Sequence, residues 1–148
     1  GLASLLETRE ESRDIKELPL WLTQQLAQPG YVQATMPRSF SQEAQNKLKA
    51  DAKAVSLGMT SPHYYELGTK LAVMEGTEIG QDLVQSLSAA FATRYKVILN
   101  RFPNTEDRNS MKYLSTLTAP EQRIYTSGQL SLRQHANWKR RRTETIEH

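Results

Sequence analysis

Glu78–Phe102, EIGQDLVQSLSAAFATRYKVILNRF, decides the fold class. Its apolar residues Ile79, Leu83, Leu87, Ala90, Phe91, Tyr95, Ile98 and Phe102 recur at intervals of three and four, the period of an α-helix. Placed at about 100° per residue, with Val84, Val97 and Leu99 added, they cover roughly 200° of the circumference, against ~100° for a helix with one buried side. A helix of this kind packs against partners on two sides. Pro103-Asn104 ends the pattern.

The segments before this helix read as further helices. SPHYYELGTKL, Ser61–Leu71, opens one that runs to about Glu75, with Ser61 as the cap and Pro62 in the first position, where a missing N–H costs nothing. Gly76 stops it. An earlier helix begins after Ser41, carries Ala44, Leu48, Ala52 and Val55 on one side, and stops at Gly58. Leu18–Gln28 is a short helix with Pro19 in its first turn and Leu18, Trp21, Leu22 and Leu26 on one face. YVQATMP, Tyr31–Pro37, reads as extended backbone, and residues 1–17 as an irregular arm.

Beyond Pro103, a short segment around Asn109–Leu117 precedes a long helix from Ala119 to about Arg140. Thr118-Ala119-Pro120-Glu121 fits a capping box, with threonine at the cap and glutamate three residues on. Ile124, Tyr125, Gly128, Leu132, His135 and Trp138 form its apolar seam. Gly128 costs a helix interior about 1 kcal/mol relative to alanine, a loss that a close helix–helix contact would justify. No strand-like alternation occurs. The expected fold is all-α, a bundle of five or six helices.

Composition removes several classes of function. The 148 residues suit one ordinary domain, and the absence of cysteine excludes disulfides, thiolate chemistry and cysteine-based zinc sites. No apolar run reaches the 18 or so residues of a membrane span, and nothing resembles a secretory signal. The net charge of +3 is mild for a nucleic-acid binder. It is concentrated in Lys139-Arg140-Arg141-Arg142, which exceeds the whole imbalance. That run reads as a localisation signal, a phosphate-binding patch, or cations placed at a helix end.

Patterns that carry chemistry are few. His63 and Glu66 lie three apart on one helix face, but metal sites in helical bundles use Glu-x-x-His, twice, with further glutamates. No Gly-x-Ser-x-Gly elbow and no glycine-rich phosphate loop is present. His135 lies on the seam of the last helix, one turn before Trp138. The expectation is no enzyme, no catalytic residue, no metal and no cofactor.

Four strings together resemble a known family. LPLWL (Leu18–Leu22), SPHYYELG (Ser61–Gly68), IGQDLVQSL (Ile79–Leu87) and YTSGQLSL (Tyr125–Leu132) with Trp138 occur in the order seen in the helical domain of the Psf-three type of subunit of the eukaryotic GINS complex. The resemblance implies a helical A domain over 18–142 with a tail at 143–148, residues 1–17 being a linker or the remnant of a small β domain. Too few residues precede Leu18 for a complete β domain, which implies a fragment, a processed form or a shortened homologue. The loop around Arg101–Ser110 and the tail after Trp138 match poorly.

The family also implies a function. It is that of a non-catalytic scaffold subunit in a nuclear heterotetramer that helps assemble and hold the MCM-based replicative helicase at origins and forks. Its partners would be the other three GINS subunits and, through the assembly, the MCM ring and a RecJ-like protein. DNA contact would be indirect, with no membrane and no small-molecule substrate. The candidate core or interface residues are Leu20, Trp21, Tyr64, Tyr65, Leu83, Leu87, Phe91, Tyr95 and Trp138, and the candidate basic patch is Lys139, Arg140, Arg141 and Arg142. The competing reading is a helical nucleic-acid-binding module that uses this patch.

Overall fold

The computed structural model describes residues 18–27, 35–103 and 109–146. Among them there are seven α-helices, one 3₁₀ turn and no strand, so the all-α expectation holds with more helices than expected. The irregular arm 1–17, most of the segment before Pro37 and residues 104–108 of the loop lie outside the described residues. The chain divides between Thr35 and Met36 into two units. The first contains α1 (Leu20–Ala27), whose first turn closes with Leu22 and Thr23 N–H groups donating to the Pro19 carbonyl.

The second unit holds the bundle. After the 3₁₀ turn Arg38–Phe40 come α2 (Gln42–Ala50), α3 (Leu57–Thr60), α4 (Tyr64–Glu75), α5 (Glu78–Arg101), α6 (Ser110–Thr116) and α7 (Ala119–Ile146). The Ser41 hydroxyl caps α2 by accepting from the Ala44 N–H at 3.3 Å. Helix α2 ends at Ala50, two turns before Gly58. Asp51 turns the chain there, its carboxylate accepting from the Lys53 N–H, a local bond that competes with the helix. Gly58 therefore is no stop signal. It lies inside α3, where an added Cβ would collide with the Leu117 carbonyl.

Helices α4 and α5 are the principal pair. The connection is Gly76-Thr77, and Gly76 adopts the left-handed conformation (φ 60°) that glycine reaches without a steric penalty. The helices run antiparallel: Gly80 meets Ala72, Leu87 meets Gly68, and Phe91 meets Tyr65. Gly68 is a close approach of side chains to backbone. A Cβ there would lie 2.6 Å from Leu87 Cδ1 and 2.7 Å from Phe40 Cε1, so its absence lets both side chains fill the core. Helix α7 crosses the far end of α5, where Phe102 rests on Gly128 and Ile98, Leu117 and Tyr125 form a buried cluster. The helix contact that Gly128 suggests in the sequence is this one.

A buried ion pair fastens the segments together. Arg94 of α5 grips Glu121 of α7 with two hydrogen bonds, Nε to Oε1 at 2.7 Å and Nη2 to Oε2 at 3.0 Å. The remaining guanidinium protons go to the carbonyls of Ala52, Val55 and Thr116, so all five N–H groups are used. Glu121 Oε1 also accepts the Tyr65 hydroxyl at 2.8 Å, and Oε2 accepts the Thr118 N–H at 2.9 Å. This last bond is half of the expected capping box. The other half is missing: among the described residues the buried Thr118 hydroxyl has no hydrogen-bond partner.

These contacts set the charge states. Burial pushes the Glu121 carboxyl up, but the hydrogen bonds from Arg94 and the Thr118 N–H, the Arg94 charge and the Tyr65 hydroxyl outweigh it and hold the group below the usual carboxylate value. Burial, then the charge of Glu121 and the bond to it, raises the Tyr65 hydroxyl strongly. For Arg94 burial lowers the value, and the bond to Glu121 more than restores it.

Candidate subunit interface

The two-sided reading of α5 can be compared directly with its faces. The buried residues Gly80, Leu83, Ser86, Leu87, Ala90, Arg94 and Ile98 form one arc against α2, α4 and α7. The adjoining sector carries Val84, Phe91, Tyr95 and Leu99. Val84 is 40% exposed, Tyr95 and Leu99 are each 38% exposed, and Phe91 is half-buried. One side of α5 thus fills the bundle, and the adjoining side carries apolar residues from Val84 to Leu99, about two-thirds of the helix.

An aromatic ladder joins the two sides. Phe40 stacks on Tyr64 at 4.5 Å between ring centres, and Tyr64 meets Tyr65 edge-on at 6.2 Å. Tyr65 meets Phe91 edge-on at 5.3 Å, and Phe91 stacks on Tyr95 at 6.1 Å. The ladder starts at a fully buried ring and ends at an exposed one. Offset and edge-on pairs add about 0.5–1.5 kcal/mol each beyond area burial, so Tyr95 is held in place before anything touches it.

The residues singled out in the sequence separate by environment. Tyr64, Leu83 and Leu87 are core, with the Tyr64 hydroxyl donating to the Ser39 carbonyl at 2.7 Å. Tyr65 and Phe91 lie at the margin. Leu20 is half-buried and Trp21 is 63% exposed on α1, in the other unit. Trp138 is 53% exposed and stacks with His135 at 5.8 Å. Lys139–Arg142 are exposed and lie within α7, which extends past Arg140 to Ile146.

Two sequence readings need correction. The seam of α7 is packed only as far as Gly128. Tyr125 is buried and Gly128 meets the Phe102 ring, whereas Leu132, His135 and Trp138 are exposed. The capped start at Ser61 is a turn rather than a first helical turn. The Ser61 hydroxyl accepts from the His63 N–H, the helix begins at Tyr64, and the Pro62 carbonyl accepts from the Ala119 N–H at 2.8 Å. His63 lies 3.9 Å from Glu66, which is itself paired with Lys70 at 3.0 Å on the exposed surface. Among the described residues no three His, Cys, Asp or Glu side chains gather closely enough to hold a metal.

Arg94 escaped the sequence reading. Its signal was present: it stands seven residues after Leu87 and four before Ile98, in the centre of the apolar stripe, where a solvated arginine has no place.

Comparison with known proteins agrees with this architecture. The chain is 28% identical over 131 residues to the probable DNA replication complex GINS protein PSF3 of Dictyostelium discoideum, covering 88% of this chain and 48% of that protein. It is 26% identical over 132 residues to the DNA replication complex GINS protein PSF3 of Mus musculus, covering 88% and 61%. The Schizosaccharomyces pombe protein of the same description is 40% identical over 55 residues, or 37% of this chain and 33% of that one. The chain spans about half to three-fifths of the length of the first two relatives. The family model for the GINS complex protein helical bundle domain matches residues 39–139, from the last residues of the 3₁₀ turn to one turn short of the end of α7's basic run, and the chain belongs to that family.

Proposed function

We propose that this chain is a non-catalytic scaffold subunit of a GINS-type heterotetramer that acts in DNA replication in the nucleus. The observation that carries the reading is the apolar sector of α5, in which Val84, Tyr95 and Leu99 are exposed beside the half-buried Phe91. Such a stripe is costly to leave in water and matches the apolar character of obligate interfaces, which run above about 2,000 Å². Through the assembled tetramer the chain would help hold an MCM ring and its RecJ-like partner, as the family resemblance implies, with DNA contact indirect.

Co-expression with the other three GINS subunits tests this. The expected result is a single complex of four chains on size exclusion. A chain that elutes alone as a well-behaved monomer in the presence of all three would overturn the reading.

A further inference from the structure

We infer that the outer half of α7 is a docking surface for an acidic amphipathic helix of a partner protein. The inference rests on the reading of this chain as one that works through protein contacts, and it assigns a partner chemistry to a second surface, on α7.

Every residue from Leu130 to Glu144 is exposed. At 100° per residue, Leu132, His135, Trp138, Lys139 and Arg142 fall within about 120° of arc, on the side of α7 that carries Glu121, Ile124, Tyr125 and Gly128 into the bundle. The same face therefore continues for about four turns past Gly128, the last point at which a bundle side chain is seen to rest on it. A helix laid alongside would continue the same packing.

The face is ordered in advance. Trp138 stacks with His135 one turn before it, and the Arg142 guanidinium sits 5.5 Å from the Trp138 ring centre one turn after it. Tryptophan and arginine are the residues most enriched among interface hot spots, and side chains already stacked lose less freedom on binding.

Charge selects the partner. Arg133, Lys139, Arg140, Arg141 and Arg142 occur between Leu130 and Thr143 with no acidic residue among them, although the whole chain carries only +3. The rest of the chain is therefore net negative, and complementarity requires acidic groups on whatever covers this segment. A nucleic acid fits less well. Consecutive cations at 139–142 point around the whole helix rather than along one track, and the two helix neighbours of Trp138 occupy space that a stacking base would need.

The test is fluorescence anisotropy with the 148-residue chain and a labelled helical peptide of about 18 residues, leucine along one face and glutamate on its flanks. A peptide of the same composition in scrambled order and a single strand of about 20 nucleotides serve as comparisons. The helical peptide should bind, and binding should weaken by about tenfold or more for Trp138→Ala, for Arg142→Glu and for the scrambled peptide. Equal affinity for the scrambled peptide, indifference to Trp138→Ala, or tighter binding of the single strand would each overturn the inference. Circular dichroism confirms that these surface variants are folded. Assembly with the other GINS subunits is measured separately: co-elution without peptide binding defeats this inference alone, and peptide binding without co-elution defeats only the scaffold reading.

Discussion

Arg94 and Glu121, 27 residues apart on two different helices, meet as a doubly hydrogen-bonded pair that is almost wholly withdrawn from water. Neither group is tolerable there alone. The carboxylate depends on the arginine for its charge balance, and the arginine reaches three backbone carbonyls that end α2, precede α3 and close α6. The pair and its carbonyl contacts tie α5 and α7 to the chain after α2, before α3 and at the end of α6, so removing either partner leaves a buried charge behind.

Arg94→Met should therefore destabilise the bundle by about 3–5 kcal/mol, because Glu121 would be left buried and uncompensated. Combining it with Glu121→Leu should return part of that loss. Urea denaturation of the three variants measures both. A double variant as unstable as the sum of the single ones would show that the two residues are not coupled.

The same carboxylate gives stability a dependence on acid. The folded value of Glu121 lies below its ordinary value of 4.5, so its contribution is complete above that pH and is lost as pH falls through the depressed folded value. Tyr65 acts in the opposite direction. Its folded value is raised above 10, so its contribution is complete below pH 10 and is lost as pH rises further. Urea midpoints across pH should decline at both ends. Tyr65→Phe should flatten the alkaline decline and leave an acid decline, whereas Glu121→Gln should reduce the acid one.

The glycines should rank by what they touch. Gly58→Ala meets the Leu117 backbone carbonyl, which cannot turn aside, and Gly80→Ala meets that of Ala72. Each should cost at least the about 1–3 kcal/mol of overpacking. Gly128→Ala meets the Phe102 ring at 2.8 Å, a side chain able to shift, and gains about 1 kcal/mol in helix propensity. Its melting temperature should fall least of the three. A larger fall for Gly128→Ala than for Gly58→Ala would contradict the ranking.

On α5 the two faces should respond differently to substitution. Leu87→Ala, in the core, should cost about 2–5 kcal/mol of stability. Val84→Asp with Leu99→Asp, on the exposed sector, should leave the helical circular dichroism spectrum intact and abolish co-elution with the other GINS subunits. Retained co-elution would remove that sector from the interface.

How much of this could be read from the sequence depended on range. The bounds of α5 and the stop at Gly76 were legible because seven turns of apolar spacing and a glycine are local signals. The N-terminal signal at Thr118–Glu121 was legible as a capping box, yet its glutamate turned out to serve mainly Arg94. That partnership spans 27 residues and leaves no periodic trace. Gly58 misled for the same reason: its requirement comes from Leu117, far along the chain. The seam of α7 was correctly traced as a pattern, but where its packing ends depends on the length of α5, which no property of α7 encodes. Tyr95 and Trp138 were marked as core or interface without distinction, since an aromatic at helical spacing looks the same whether its partner is in the chain or outside it.

Helix α7 has a mechanical consequence as well. About 24 Å of it extend from Leu130 to Ile146, anchored at the root by Tyr125, Gly128 and the Arg94–Glu121 clasp. A single helix fixed at one end behaves as a cantilever, so whatever grips its tip is held at a set distance and direction from the bundle. Inserting two residues near Ser131 would rotate the tip by about 200° while lengthening it by only about 3 Å, and four would nearly restore its heading. The phase of that arm, more than its reach, would then govern what it can engage.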